Sequence, residues 1–227
     1  MVDELRGALR ALEQGQRLDA AARLLSAWRD RRHPRLAEVL ERLDATMELP
    51  EITAPTREKT HARWVEIAER GRVADLSRLL AGLGRRPLSQ FAERLSLLLR
   101  FAPDPRLAMA LARFIEAERP TSAIRLHTWG KAFRALEEAG DVRVVAPVQA
   151  RMADPPEGEL GNQFKGWALR LAATLSAPPP ALGLDANGLL DRIDERVRAL
   201  PRWTDEANIF ATATPVVADA TEDQLLK

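Results

Sequence analysis

The sequence predicts an all-α fold of paired, stacked helices. Apolar residues recur at steps of three and four through most of the 227 residues, which is the period of an amphipathic helix. Proline and glycine stand at the ends of these periodic stretches, where helices begin and end. No stretch before the C-terminal tail alternates apolar and polar residues with β-branched side chains, so a sheet is not predicted.

Composition places the chain among globular proteins of a reducing compartment. Apolar residues make up 46% of it, which is enough for a packed core. Cysteine is absent, which excludes disulfides, thiolate chemistry and cysteine zinc sites. The apolar stretches are too short to cross a bilayer, and the first residues do not have the pattern of a signal peptide. We therefore expect a cytoplasmic location.

Apolar stripes define the helices in order along the chain. One stripe contains Leu160, Phe164 and Leu171, and a second contains Leu126, Trp129 and Phe133, each at helical spacing. The predicted helices are 2–13, 18–32, 34–45, 56–70, 73–83, 88–101, 105–118, 121–139, 142–152, 159–176 and 186–199.

Local start and stop signals bound these helices. Pro34 and Pro105 fall near a first helical position, where the missing N–H of proline leaves no hydrogen bond unmade. The predicted N-caps are Thr121, Asp141 and Asp185, and the predicted C-terminal stops are Gly71, Gly84 and Gly140.

A weak internal repeat links the helices into an array. The motif PRLAxxLxR begins at Pro34 and again at Pro105, and Asp141 and Arg143 repeat the opening Asp-x-Arg of the second copy. Helix starts lie roughly 33 to 40 residues apart, the period of two-helix repeats. We therefore predict an irregular HEAT-like α-solenoid of about five helix pairs plus an N-terminal helix. Residues 1–200 form this domain, and 201–227 form an extended tail or linker.

These motifs resemble a bacterial family. The segments concerned are LLSAWR at 24–29 leading to PRLAEVL at 34–40, PDPRLA at 103–108, TW through GD at 128–141, and ATEDQLLK at 220–227. They are similar to the helical N-terminal regions of proteins that carry a short "repeat-companion" domain. The resemblance implies a helical-repeat architecture and a longer chain with a companion domain downstream. It implies no catalytic residue.

No catalytic, cofactor or metal site is predicted. His33, His61 and His127 show no metal-ligand spacing, and HExxH is absent. His33 is expected at a helix start, and His127 beside the stripe of Trp129. The glycines at 82 and 84 lack the Lys-Ser/Thr of a phosphate loop, so they indicate a helix-to-helix turn; the alternative is an anion site that Arg85 and Arg86 form near the start of the next helix. We expect a protein that is not an enzyme and needs no cofactor.

The tryptophans allow two interpretations. Trp28, Trp64, Trp129 and Trp167 fall on apolar stripes, which favours core packing. The alternative is stacking on nucleic-acid bases, as in HEAT-like proteins that process damaged bases. Trp203, in the tail, is the one most expected at the surface.

Arginine dominates the basic residues, and two sets of arginines are candidate binding groups. The chain has 34 basic and 33 acidic residues, and residues 57–119 hold 13 basic against 8 acidic ones. The first hypothesis is a scaffold for protein–protein interaction, whose partner is another protein or the companion domain. Its candidates open the second helices: Arg35, Arg72, Arg106 and Arg143. Their alternative role is to cap carbonyls or to pair with Asp104 and Asp141.

The second hypothesis is nucleic-acid binding, including processing of DNA bases, on an arginine-rich face. Its candidates are Arg78, Arg85, Arg86, Arg94 and Arg100. This hypothesis requires that they converge on one surface and that affinity falls steeply with salt. A third interpretation places the C-terminal tail in the groove of the array as a regulatory segment. No membrane partner is expected.

Overall fold

The computed structural model describes residues 1–47, 96, 99–100, 102–117, 126–155 and 157–201, with the backbone alone at 117, 126 and 127. Within these ranges the regular structure is helical and no strand occurs. The helices are α1 (Val2–Glu13), α2 (Arg17–Arg31), α3 (Pro34–Asp44), α4 (Pro105–Ala117), α5 (Leu126–Ala139), α6 (Val145–Arg151), α7 (Gly158–Thr174) and α8 (Leu184–Ala199). A short 3-10 helix, Val142–Val144, leads into α6.

The first hydrophobic core joins α1, α2 and α3 to the C-terminal helix α8. Leu5, Leu24, Trp28 and Leu40 are fully buried in it, and Ile193 of α8 packs among them. α8 lies against both α1 and α3. Because helices far apart in sequence share this core, burial of apolar surface holds the last described helix on the first.

The second hydrophobic core is formed by α4 to α7. Trp129 stacks on Phe114 with ring centroids 5.6 Å apart. Phe164 meets Trp129 and Phe133 edge-on, at 5.8 and 5.2 Å. Offset and edge-on contacts are the preferred arrangements of aromatic rings, because they bring ring edges toward the negative faces. This aromatic cluster fixes how α4, α5 and α7 pack on one another.

Helix positions predicted from apolar periodicity agree with the structure to within a few residues wherever residues are described. Predicted helices 56–70 and 73–83 lie outside the described residues, as does most of 88–101, although 96, 99 and 100 are helical. The tail beyond residue 201 also lies outside them, and so do Thr121, Gly71 and Gly84.

Several of the described helix boundaries have the expected local cause. Helices begin at Pro34 and Pro105, and Asp141 accepts a hydrogen bond from the backbone N–H of Arg143. Gly140 has a φ of +70°, which glycine adopts at a helix end without steric cost. The Asp185 prediction was wrong: the N-cap of α8 is Gly183, and Asp185 lies in the first turn, where its charge favours the positive helix end.

Candidate functional site

Arg106, one of the predicted partner-binding residues, is turned into the protein. Its Nε donates to Asp104 Oδ1 at 3.0 Å and its Nη2 to Asp104 Oδ2 at 2.6 Å, a two-pronged ion pair. Its Nη1 also pairs with Asp44 at the end of α3. The side chain is only 3% exposed. Arg106 therefore joins the start of α4 to α3 and presents no donor at the surface.

Arg143 repeats this arrangement one helix pair later. Its Nε and Nη2 donate to the two oxygens of Asp141 at 3.0 and 2.7 Å, and its Nη2 lies 3.0 Å from Glu41 Oε1 of α3. In both cases the aspartate two residues upstream also accepts the backbone N–H of the arginine, at 2.8 Å for Arg106 and 3.1 Å for Arg143. We call these two clusters the Arg106 clasp (Asp104, Arg106, Asp44) and the Arg143 clasp (Asp141, Arg143, Glu41).

Electrostatics inside the clasps follow from burial and pairing. Burial alone lowers the pKa of both arginines, but the facing carboxylates outweigh it and hold each pKa above its ordinary value. For Glu41, the facing opposite charge does not outweigh the effect of burial. Burial is the largest influence on Glu41 and raises its pKa, although Arg143 lies 3.0 Å from Glu41 Oε1 and favours the charged carboxylate.

The third described candidate, Arg35, lies at the opposite side of α3. His33 caps α3 through Nδ1, which accepts the backbone N–H of Arg35 at 3.2 Å. The Arg35 guanidinium then donates to Asn187 and Asp191 of α8. Arg42, two turns further along α3, pairs with Asp194 of α8 at 2.7 Å. α3 thus presents two arginines to α8 and two carboxylates to the helices that follow.

Two further arginines at the end of α2 lie near the clasps. Arg29 Nε donates to the carbonyl of Pro103 at 2.8 Å, and the Arg32 guanidinium lies 4.4 Å from the ring centre of Trp28. Burial lowers the pKa of both arginines. Sequence reasoning missed this pair because neither residue belongs to the repeated helix-start motif.

Arg100 is the only candidate of the arginine-rich face that falls within the described residues. Its Nε donates to Glu138 at 2.8 Å, and Arg134 of α5 donates to the same carboxylate at 3.0 Å. Arg72 of the first set and Arg78, Arg85, Arg86 and Arg94 of the second lie outside the described residues. Their predicted convergence on one face therefore stays a prediction.

Trp28 and Trp129 are core residues. Both are at most 1% exposed, which confirms the packing interpretation for these two. Trp167 is partly buried against the second core, whereas Trp64 and Trp203 lie outside the described residues. The indole N–H groups of Trp28 and Trp129 find no acceptor in the described part of the chain.

The described residues contain neither a cluster of metal-binding side chains nor a membrane-spanning helix. No group of three or more His, Asp or Glu side chains there is placed to hold a metal ion. None of the helices there is both long and apolar enough to cross a membrane. His33 is used as a helix cap, as expected; His61 lies outside the described residues, and His127 is described by its backbone alone.

Comparison with known proteins gives no relative. No family model, curated protein or solved structure matches the chain.

Proposed function

We propose that this chain is a non-catalytic, HEAT-like helical-repeat scaffold that binds a protein partner. A companion domain in the same longer chain, as the family resemblance implies, is one form of that partner. A stacked helical array offers long surfaces for such binding, because each repeat contacts mainly its neighbours and leaves its outer faces exposed.

The observation that carries this proposal is the charge balance on the outer faces of α5 and α7. Arg134 and Arg100 share Glu138, and Arg170 of α7 donates to Glu137 at 2.7 Å. A surface that binds phosphates needs basic groups free of acidic neighbours, since each such group neutralises a phosphate and releases a counterion from the nucleic acid. Arginines already paired with carboxylates favour a protein surface with mixed charges over a nucleic-acid backbone.

The repeated clasps give further support. Arg106 and Arg143 stand at equivalent helix starts and make equivalent contacts to α3, about one turn apart at Asp44 and Glu41. Recurrence of the same helix start one helix pair later fits a two-helix repeat, and both arginines anchor that start on the same helix, α3. It also means that these two arginines stabilise the array, and that partner contact is made by side chains on its exposed faces.

The test is affinity capture with the full chain immobilised in lysate of the source organism. Parallel samples are treated with nuclease or left untreated, and bound material is identified by mass spectrometry. We expect a specific protein that is retained after nuclease treatment. Recovery of nucleic acid alone, or of proteins that disappear with nuclease, would contradict the scaffold proposal.

A direct binding measurement distinguishes the nucleic-acid alternative from the scaffold proposal. The purified chain is titrated into a labelled single-stranded and a labelled duplex oligonucleotide. If an arginine-rich face binds phosphates, affinity falls by orders of magnitude between about 50 and about 200 mM salt. We expect no such binding. Arg10→Glu, on an exposed part of α1, provides a control for the effect of net charge on any residual signal.

A further inference from the structure

An exposed run of three prolines connects the two hydrophobic cores. We call residues 175–183, between α7 and α8, the proline strap. Residues 176–181 are all exposed and form no regular secondary structure, and Pro178, Pro179 and Pro180 are at their centre. α7 belongs to the second core and α8 to the first, so the strap passes from one core to the other.

Both ends of the strap are anchored. Leu175 packs against the second core, and Leu182 is 8% exposed within the first. Asn187 of α8 donates its side-chain amide to the carbonyl of Leu182 at 2.9 Å. Gly183, at the N-cap of α8, has φ −63° and ψ 161°, which lies in the polyproline II region. The exposed prolines are therefore held between two fixed points.

The sequence of the strap dictates its conformation. Proline restricts its own φ to about −65°, and it also forces the residue before it into extended or polyproline II geometry. Ala177, Pro178 and Pro179 each precede a proline, so residues 177–180 have little freedom. In the described part of the chain no group donates a hydrogen bond to the carbonyls of these prolines. All three prolines are exposed to solvent.

We propose that the proline strap is a docking element for a partner protein with an aromatic-lined groove. This inference rests on the proposed scaffold function and names the chemical class of one partner. Polyproline II segments bind such grooves because proline rings pack on aromatic faces while indole or phenol donors reach the free carbonyls. An element already held in this conformation loses little entropy on binding.

The surroundings of the strap extend the docking surface. Leu184, the first residue of α8, is 92% exposed directly after the strap. It borders an open cleft that Arg6, Asp185, Leu189 and Arg192 also line, and Arg6 is paired with Asp3 at 3.3 Å. A partner held on the prolines would therefore place an apolar side chain against Leu184. Glycine or serine in place of the prolines would give a flexible connector without this preformed surface.

The test uses the full chain and a panel of purified SH3, WW and EVH1 domains, which cover different aromatic grooves. Binding is measured by interferometry, with a free polyproline peptide as positive control for each domain. We expect at least one domain to bind the wild-type chain. The triple variant Pro178→Ala, Pro179→Ala, Pro180→Ala should lose about tenfold or more in affinity. Pro201→Ala, at another exposed proline, should bind like wild type.

Circular dichroism and urea unfolding establish that the triple variant is folded. Wild-type binding to none of the domains, or equal binding by the triple variant, overturns the proposal. The proposed scaffold function is tested separately, by the affinity capture described above. It is contradicted if no protein is retained after nuclease treatment. A triple variant that captures the same protein as wild type from lysate would leave the scaffold function intact and remove the strap from it.

Discussion

Arg106 forms a two-pronged ion pair with Asp104, the residue that caps the same helix, and both side chains are almost inaccessible to solvent, at 3% and 0% exposure. A single aspartate thus ends the preceding loop, starts α4 and neutralises an arginine that reaches α3. Arg143 and Asp141 repeat the relationship. A local capping motif and a long-range contact between helices are therefore carried by the same two residues.

Replacing Arg106 by Met should destabilise the protein strongly. The change leaves Asp104 as a buried carboxylate without its partner, which typically raises the free energy of the folded state by about 3–5 kcal/mol. Urea unfolding measures the loss. Arg134→Met is the matched control: this arginine pairs with Glu138 at the surface, with 67% of its side chain exposed, and should change stability by less than about 1 kcal/mol. Equal effects of the two variants would contradict the clasp.

Truncating Phe164 should disrupt the second core. Its ring touches Trp129 and Phe133 edge-on and is fully buried, so Phe164→Ala should lower the free energy of unfolding by about 3–5 kcal/mol. Leu169→Ala tests the same helix at a side chain that is 66% exposed. The free energy of unfolding of this variant should stay within about 0.5 kcal/mol of that of wild type. Thermal and urea unfolding of both variants check this contrast.

His33 should make α3 sensitive to mild acid. Burial, followed by the charge of Arg35, lowers the pKa of His33 below its ordinary value of 6.5. A lowered folded-state pKa means that the stabilisation is present above pH 6.5 and is lost as pH falls through the folded-state pKa. Protonation at Nδ1 also removes the acceptor for the Arg35 N–H.

The variant His33→Asn keeps an acceptor at the cap without titrating in this range. Relative to wild type, it should gain stability as the pH falls from about 8 to about 5. Unfolding curves at several pH values give the difference in free energy of unfolding between the variant and wild type. A difference that does not change with pH would show that His33 is not the titrating cap.

Glu41 should produce the opposite pH dependence. Burial raises its pKa above the ordinary value of 4.5, despite the attraction of Arg143. A raised folded-state pKa gives stability that is complete below pH 4.5 and is lost as pH rises through the folded-state pKa. Glu41→Gln should therefore gain stability relative to wild type between about pH 4 and pH 7.

Glu138→Gln is the control of opposite sign for this experiment. Burial alone would raise the pKa of Glu138, but hydrogen bonds from Arg100 and Arg134 outweigh it and lower that pKa. Glu138→Gln should therefore lose stability relative to wild type as the pH rises through the folded-state pKa toward 4.5, and the difference should then stay constant at higher pH. If both variants responded alike, net charge would explain the result and the Arg143 clasp would not.

Local features of the fold were predictable, and the candidate site was predictable only in part. The alternative role for the helix-start arginines, pairing with Asp104 and Asp141, is observed, because an aspartate at an N-cap and an arginine two residues later are brought together by the turn itself. The contacts of Arg29 and Arg32 could not be anticipated, since their environments come from segments distant in sequence.

Local sequence signals predicted the positions of the described helices to within a few residues, with the N-cap of α8 as the exception. Apolar periodicity, proline at the first helical position and glycine after the last act within a few residues, so their effects do not depend on the rest of the chain. The contacts of Arg106 with Asp44, 62 residues away, and of Arg35 with Asn187, 152 residues away, come from the packing of distant helices and could not be predicted. Such contacts depend on which apolar faces pack together, and periodicity specifies a face but not the helix that covers it.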